Sequence, residues 1–279
     1  MPTYILPGEP TGKISTEFQG AYFSPAPTGS PSKHAILLLT DASGLALKNP
    51  MIIADELAKR LERDVWVPDY FKGRPLFPVD AIVQPDRHDA KLTIIEWLRF
   101  IISFVVALVS NLPNIVRNRP SVVDKRIEYF IAILKEKRQY ETIGAVGYGF
   151  GGAICIRFAA TNLLERVVVA HPARFTLKQL KAIKIPTSWI WAPEDFFFPE
   201  SRRQQVSDVL FKREGKENTV KHGLVGHYGA KHGFALRPTP NCKTQYDVAL
   251  NQIEAWFTPP DKATLRDGSE IHFWLRRKR

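Results

Sequence analysis

Three stretches of the chain combine residue types that do acyl-transfer or acid–base chemistry: Gly147-Tyr148-Gly149-Phe150-Gly151-Gly152, Glu194-Asp195 and His232-Gly233. The first follows Ile143-Gly144-Ala145-Val146 and runs into the apolar stretch Ala153 to Ala160. Small and branched apolar residues leading into glycines and then into helical spacing read as a buried strand, a tight turn and a helix. That is the geometry of a nucleophile elbow, which holds one side chain at the tip of a strained turn above a helix N-terminus. The tip here is Gly149, which has no side chain, so covalent acyl transfer through position 149 is chemically impossible. Cys155 lies six residues further on, ~9 Å along a helix axis and turned away, and reads as a packing cysteine. Asp195 and His232 follow Gly149 in the order nucleophile, acid, histidine, each after an expected strand. Alone, an aspartate before a helix is as well a cap, and a histidine beside a glycine a surface turn residue. Together with the elbow they read as neighbours in space.

These motifs resemble the dienelactone hydrolase family of the α/β-hydrolase superfamily, in its cytosolic eukaryotic branch, whose elbow is Gly-x-Cys-x-Gly-Gly. Gly147, Phe150, Gly151 and Gly152 match, and Gly149 stands where the cysteine belongs. Thr40-Asp41-Ala42-Ser43-Gly44-Leu45, Val67-Pro68-Asp69-Tyr70-Phe71, Glu194-Asp195 with Pro199, and His232-Gly233-Phe234-Ala235 agree in order, from roughly residue 11 to 257. The resemblance implies an α/β-hydrolase fold with catalytic positions Gly149, Asp195 and His232, Asp195 holding one ring nitrogen of His232. It implies the Phe150 N–H as one oxyanion donor and Ala42 or Ser43 as the source of the other. Asp41 takes the place of a family glutamate, and Arg237 lies near a substrate-carboxylate arginine, with simple exposure as the plainer reading. Asp41, Ala42, Ser43, Tyr148 and Arg237 form the candidate substrate-contacting set, Tyr148 with its side chain pointing elsewhere than the tip.

The elements that must hold these residues read as alternating strands and helices. Ala35 to Thr40 is an almost wholly apolar run, as in a parallel strand buried on both faces. Helical spacing over 51–63 precedes a strand at 64–68. An edge hairpin covers 14–23. A helix over 122–137, strands at 166–170, 187–192 and 220–226, and helices near 177–183, 202–212 and 244–257 complete a doubly wound, mostly parallel sheet with helices on both faces. The expected organisation is one domain with a core over about 11–257, a helical, cap-like insertion over about 69–120, and a basic tail at 258–279. Phe100 to Val109, about ten apolar residues, falls short of the ~18–20 that span a bilayer and reads as a buried helix or a lid, with a membrane-surface contact as the minor alternative.

At 279 residues and 44% hydrophobic content the chain can bury one large core. The net charge of +11 is spread out, with no zinc-finger or aromatic-interleaved basic stretch, which argues against a nucleic-acid partner. Two cysteines, Cys155 and Cys242, make no disulfide framework or metal pattern, and the N-terminus lacks a signal-peptide pattern. The expectation is a cytoplasmic monomer with a small-molecule substrate and no cofactor, metal or integral membrane segment. Two activities fit. In one, His232 and Asp195 act as general acid and base on a lactone, ester or conjugated carbonyl compound, giving hydrolysis, isomerisation or cyclisation without an acyl-enzyme. In the other, the chain is an inactive relative that binds a small acidic or aromatic ligand beside Phe196-Phe197-Phe198, Trp189 and Trp191.

Overall fold

The computed structural model describes residues 4–27, 32–81, 93–211 and 220–258. Eight strands form one mixed sheet: β1 (Lys13–Ser15), β2 (Ala21–Ser24), β3 (His34–Leu39), β4 (Asp64–Val67), β5 (Thr142–Tyr148), β6 (Val167–Ala170), β7 (Thr187–Trp191) and β8 (His222–Gly226). Their spatial order is β1-β2-β4-β3-β5-β6-β7-β8. β1 and β2 pair antiparallel at one edge, and β4 through β8 run parallel with β3. The continuous apolar runs of β3, β5 and β6 follow from this, because a parallel strand between two helix layers has no face left for water.

The helices are α1 (Asn49–Leu61), α2 (Ile94–Ser110), α3 (Leu112–Arg117), α4 (Pro120–Arg138), α5 (Phe150–Phe158), α6 (Leu177–Lys181), α7 (Glu200–Phe211) and α8 (Lys243–Phe257). Side-chain alternation along β3 assigns them to two layers. Leu37 and Leu39 pack with Val123, Ile127 and Phe130 of α4, Ile154 of α5 and Val206 of α7. Ile36 and Leu38 pack with Ile53 and Leu57 of α1 and Leu250, Ile253 and Trp256 of α8. This is the doubly wound, mostly parallel sheet expected from the strand–helix alternation, and the α/β-hydrolase fold that the resemblance implies. The ends of α7 beyond 211 and the basic tail from 259 lie outside the described residues, as do 82–92 of the insertion.

Inside the insertion the structure corrects one expectation. α2 opens on a capping box, with Thr93 and Glu96 exchanging hydrogen bonds, but it is not a buried helix. Only Phe100 and Ala107 of its seventeen residues are buried. It lies outside both helix layers, with Phe100 and Phe104 against Phe196 and Phe197. No helix among the described residues is long and apolar enough to cross a membrane.

Candidate active site

The glycine cluster is a packing device before it is a site. A Cβ on Gly147 would sit 2.2 Å from the Gly151 carbonyl oxygen, and one on Gly151 would sit 2.1 Å from the Leu39 oxygen. Only glycine lets α5 approach β3 and β5 this closely. The Gly151 N–H donates to the Thr40 oxygen at 2.9 Å, tying the helix to the loop after β3. Between them Gly149 takes φ +52°, ψ −107°, a conformation costly for any residue with a side chain. Space is not the constraint at this tip. The nearest atoms to a Cβ there, beyond the flanking residues, would be Asp41 Cβ at 3.5 Å, Asp41 Cα at 3.9 Å and His232 Nε2 at 3.9 Å, all ordinary contacts.

Asp195 and His232 come from the loops after β7 and β8. A lone bridge between Glu194 and Lys231 extends the parallel pairing past the strand ends and brings the two loops together. His232 Nδ1 lies 2.9 and 2.8 Å from the two Asp195 carboxylate oxygens. An ionised carboxylate only accepts, so Nδ1 carries the proton and Nε2, facing the elbow tip, offers a lone pair. Asp195 Oδ1 also accepts from the Phe197 and Phe198 amides at 2.8 and 3.1 Å. Burial alone would push the Asp195 carboxyl up. The electrostatic attraction of His232, its Nδ1–H bond and the Phe197 amide outweigh that and hold it below its ordinary value. The Phe197 ring lies 4.8 Å from the His232 ring and screens the pair from one side.

The loop after β3 supplies polar support. The Ser43 N–H donates to Asp41 Oδ1 at 2.9 Å, which removes it as a free donor. The Phe150 N–H, in the first turn of α5, and the Ala42 N–H have no protein acceptor among the described residues. Arg237 is partly buried and engaged within the protein. Its Nε and Nη2 donate to Asp41 Oδ2, Nη2 also donates to Ser43 Oγ at 2.6 Å, and Nη1 donates to the Val79 oxygen at 2.9 Å. Arg237, the candidate anion anchor, is thus held in an internal ion pair with Asp41 beside the 41–43 loop.

Tyr148 is likewise corrected as a substrate contact. Strand alternation sends its side chain into the layer of α1 and α8, where it is fully buried. Cys155 is fully buried, with its sulfur under Gly147, and burial pushes its thiol pKa up, as befits a packing cysteine. Of the aromatic run, Phe198 and Trp189 belong to the core while Phe196 and Phe197 face α2.

One residue beside the pair is not among the candidates drawn from the sequence: His171, in the turn His171-Pro172. His171 follows β6 with φ +34° and is 1% exposed, and neither ring nitrogen has a partner among the described residues. Its ring packs edge-on to His232 at 5.1 Å. Burial, with His232 beside it, pushes its pKa down to about 3, so it is neutral at physiological pH. A neutral ring here adds no repulsion when His232 takes up a proton. No group of three or more metal-ligating side chains occurs among the described residues.

Comparison with known proteins agrees with the fold. Residues 108–259, more than half of the chain, match the model of the dienelactone hydrolase family. The chain is 27% identical over 253 residues to hydrolase tropI of Talaromyces stipitatus, covering 90% of this chain and 91% of that protein. It is 28% identical over 245 residues to hydrolase pyvD of Aspergillus violaceofuscus, covering 88% and 87%. A carboxymethylenebutenolidase homolog of Homo sapiens is 24% identical over 253 residues, covering 88% and 89%. Among solved structures, a dienelactone hydrolase-like promiscuous phosphotriesterase from metagenomic libraries superposes with a TM-score of 0.58 at 16% identity, over 85% of this chain and 90% of that one. A dienelactone hydrolase from Anabaena variabilis does so with a TM-score of 0.53 at 14% identity, over 85% and 89%. At these identities the structural likeness speaks for the fold.

Proposed function

This chain belongs to the dienelactone hydrolase family, and on that premise we propose that it acts on a small lactone, ester or conjugated carbonyl compound with no covalent intermediate at position 149. The observation that carries the reading is the placement of His232: Nδ1 on both oxygens of Asp195, and Nε2 3.9 Å from the point where a side chain at 149 would begin. A water in the space a thiol would fill is within reach of that lone pair. In hydrolysis His232 Nε2 takes a proton from the water as its oxygen attacks the carbonyl carbon, and Asp195 stabilises the imidazolium. The carbonyl oxygen, now negative, accepts from the Phe150 and Ala42 N–H groups. His232 then returns its proton to the departing oxygen as the carbon–oxygen bond breaks. In an isomerisation or cyclisation the same nitrogen moves a proton between two substrate atoms.

Without a covalent step, general base catalysis of about 10²–10⁴-fold and oxyanion donors of about 10²–10³-fold are the available accelerations. The same reading takes the protein as a cytoplasmic monomer needing no cofactor or nucleic-acid partner. Its two free cysteines, both buried, suit a reducing compartment. The test is turnover of a lactone and enol-ester panel by the wild type and by His232→Ala, with ligand binding followed by NMR. Turnover lost about 10²–10⁴-fold with binding intact supports the proposal. Binding without turnover in the wild type refutes it and supports a second reading, a silent binder of small acidic or aromatic ligands. The absence of any side chain at the tip favours that second reading.

A further inference from the structure

α2 is apolar on two opposite sides, and only one of them is used. At 100° per residue, Trp97, Phe100, Phe104 and Ala107 share one arc, and it rests on the body through Phe196 and Phe197. Ile94, Ile95, Leu98, Ile101, Ile102, Val105, Val106 and Val109 occupy about 140° on the other side. Every one of them is exposed, from 46% at Ile101 to 87% at Ile94. Leu112 and Val116 of α3 continue the face, each 56% exposed. Ten exposed large apolar residues on consecutive helices make a contiguous patch, not the scatter normal on a protein surface. The patch is held firmly. Asn118, fully buried just past α3, donates to the Arg74 oxygen at 2.8 Å and accepts from Arg126 at 2.8 Å.

The charges around the patch indicate what covers it. Between 94 and 120 the sequence holds three arginines, Arg99, Arg117 and Arg119, all exposed, and one acid, Glu96. Glu96 is engaged in capping α2 through Thr93. Arg99 shares the narrow stripe at the rim of the apolar arc with Ser103 and Ser110, where a long side chain can reach a headgroup while its stem lies on apolar surface. A second copy of the chain seated here would set arginines against arginines. The tail of this chain ends in Arg276-Arg277-Lys278-Arg279 and would bring the same sign. A surface with an apolar interior and negative headgroups satisfies both the face and its rim.

We infer that α2 and α3 form a docking face for an anionic lipid bilayer, on which the protein lies peripherally with the exposed arc of α2 in the interface. Docking would place the Phe196 and Phe197 wall of the candidate site directly behind the lipid contact, so that apolar substrates reach His232 from the membrane side.

The full chain is incubated with phosphatidylcholine vesicles and with vesicles also containing phosphatidylserine, and the bound fraction is read by co-sedimentation. Three rim arginines should raise partitioning onto the anionic vesicles by roughly 100-fold, a preference that shrinks with added salt. Ile102→Asp/Val105→Asp changes only exposed positions, so its far-UV spectrum and melting temperature should match the wild type while vesicle binding falls at least about 10-fold. Arg99→Glu/Arg117→Glu should keep the fold and lose the preference for anionic over neutral vesicles. The inference is overturned by a wild type that ignores anionic vesicles, or by equal binding of Ile102→Asp/Val105→Asp, which would assign the attraction to the basic tail. A concentration-dependent dimer dissolved by the same two substitutions would also overturn it, making a second copy the occupant.

Discussion

Placing a thiol at the elbow tip tests whether the site geometry is that of a working hydrolase. In Gly149→Cys the nearest atom to the new Cβ beyond the flanking residues is Asp41 Cβ at 3.5 Å, an ordinary contact, so the Cβ itself does not overpack. The cost is the backbone: φ +52°, ψ −107° is strained for an L-residue by about 1–3 kcal/mol. At about 2–4 °C per kcal/mol the melting temperature should fall by about 2–12 °C, leaving the protein folded at 25 °C. The sulfur would stand above the α5 N-terminus and within hydrogen-bonding reach of His232 Nε2, a setting that lowers thiol pKa values from about 8.5 to about 3.5–7.5. With a pKa near 6.5, about half the thiol is ionised at pH 6.5 against about 1% of an ordinary one. The lower basicity weakens each thiolate, so the net gain in alkylation rate is about 5–10-fold. The assay is iodoacetamide labelling followed by intact mass from pH 5 to 9, with Cys155 and Cys242 silent because both are buried. An inflection near pH 8.5, or an unchanged profile in Gly149→Cys/His232→Ala, would refute the placement of His232.

Two further predictions concern stability. His171 is neutral in the fold with its pKa pushed down to about 3, while in the unfolded chain it titrates near 6.5. Its contribution is therefore present above pH 6.5 and lost as pH falls toward 3, amounting to about 2 kcal/mol at pH 5. Urea titrations at pH 7 and pH 5 should show that loss in the wild type and a smaller one in His171→Asn, since asparagine tolerates the positive φ and does not titrate; parallel losses would remove His171 as the cause. Gly151→Ala should destabilise by at least about 3 kcal/mol, because its Cβ would press on the Leu39 and Thr40 carbonyl oxygens of the sheet, which cannot give way as a side-chain tip could. A melting temperature equal to wild type would show that α5 does not approach β3 as closely as described.

Much of the fold was legible because parallel strands leave a local record. Ala35 to Leu39 and Ile143 to Val146 must be apolar throughout when helices cover both faces, and the glycines after them mark where a helix closes on the sheet. The order Gly149, Asp195, His232 was legible for a related reason: each follows a parallel strand of the sheet, so all three emerge at the carboxyl ends of the strands. Hydropathy misled at α2, since a helix apolar on two sides has the composition of a buried one.

The sequence by itself determined the layers, the strand–turn–helix around Gly149 and the lack of a side chain at that tip, since these depend on residue type and on spacings within a few residues. The tertiary structure decided which polar groups remain free to act. Ser43 N–H is consumed by Asp41, Arg237 by a carboxylate 196 positions away, and His171 is left neutral beside His232. Hydrogen bonds saturate: once a donor is satisfied internally it is lost to a substrate, and which partner arrives first depends on where distant loops meet.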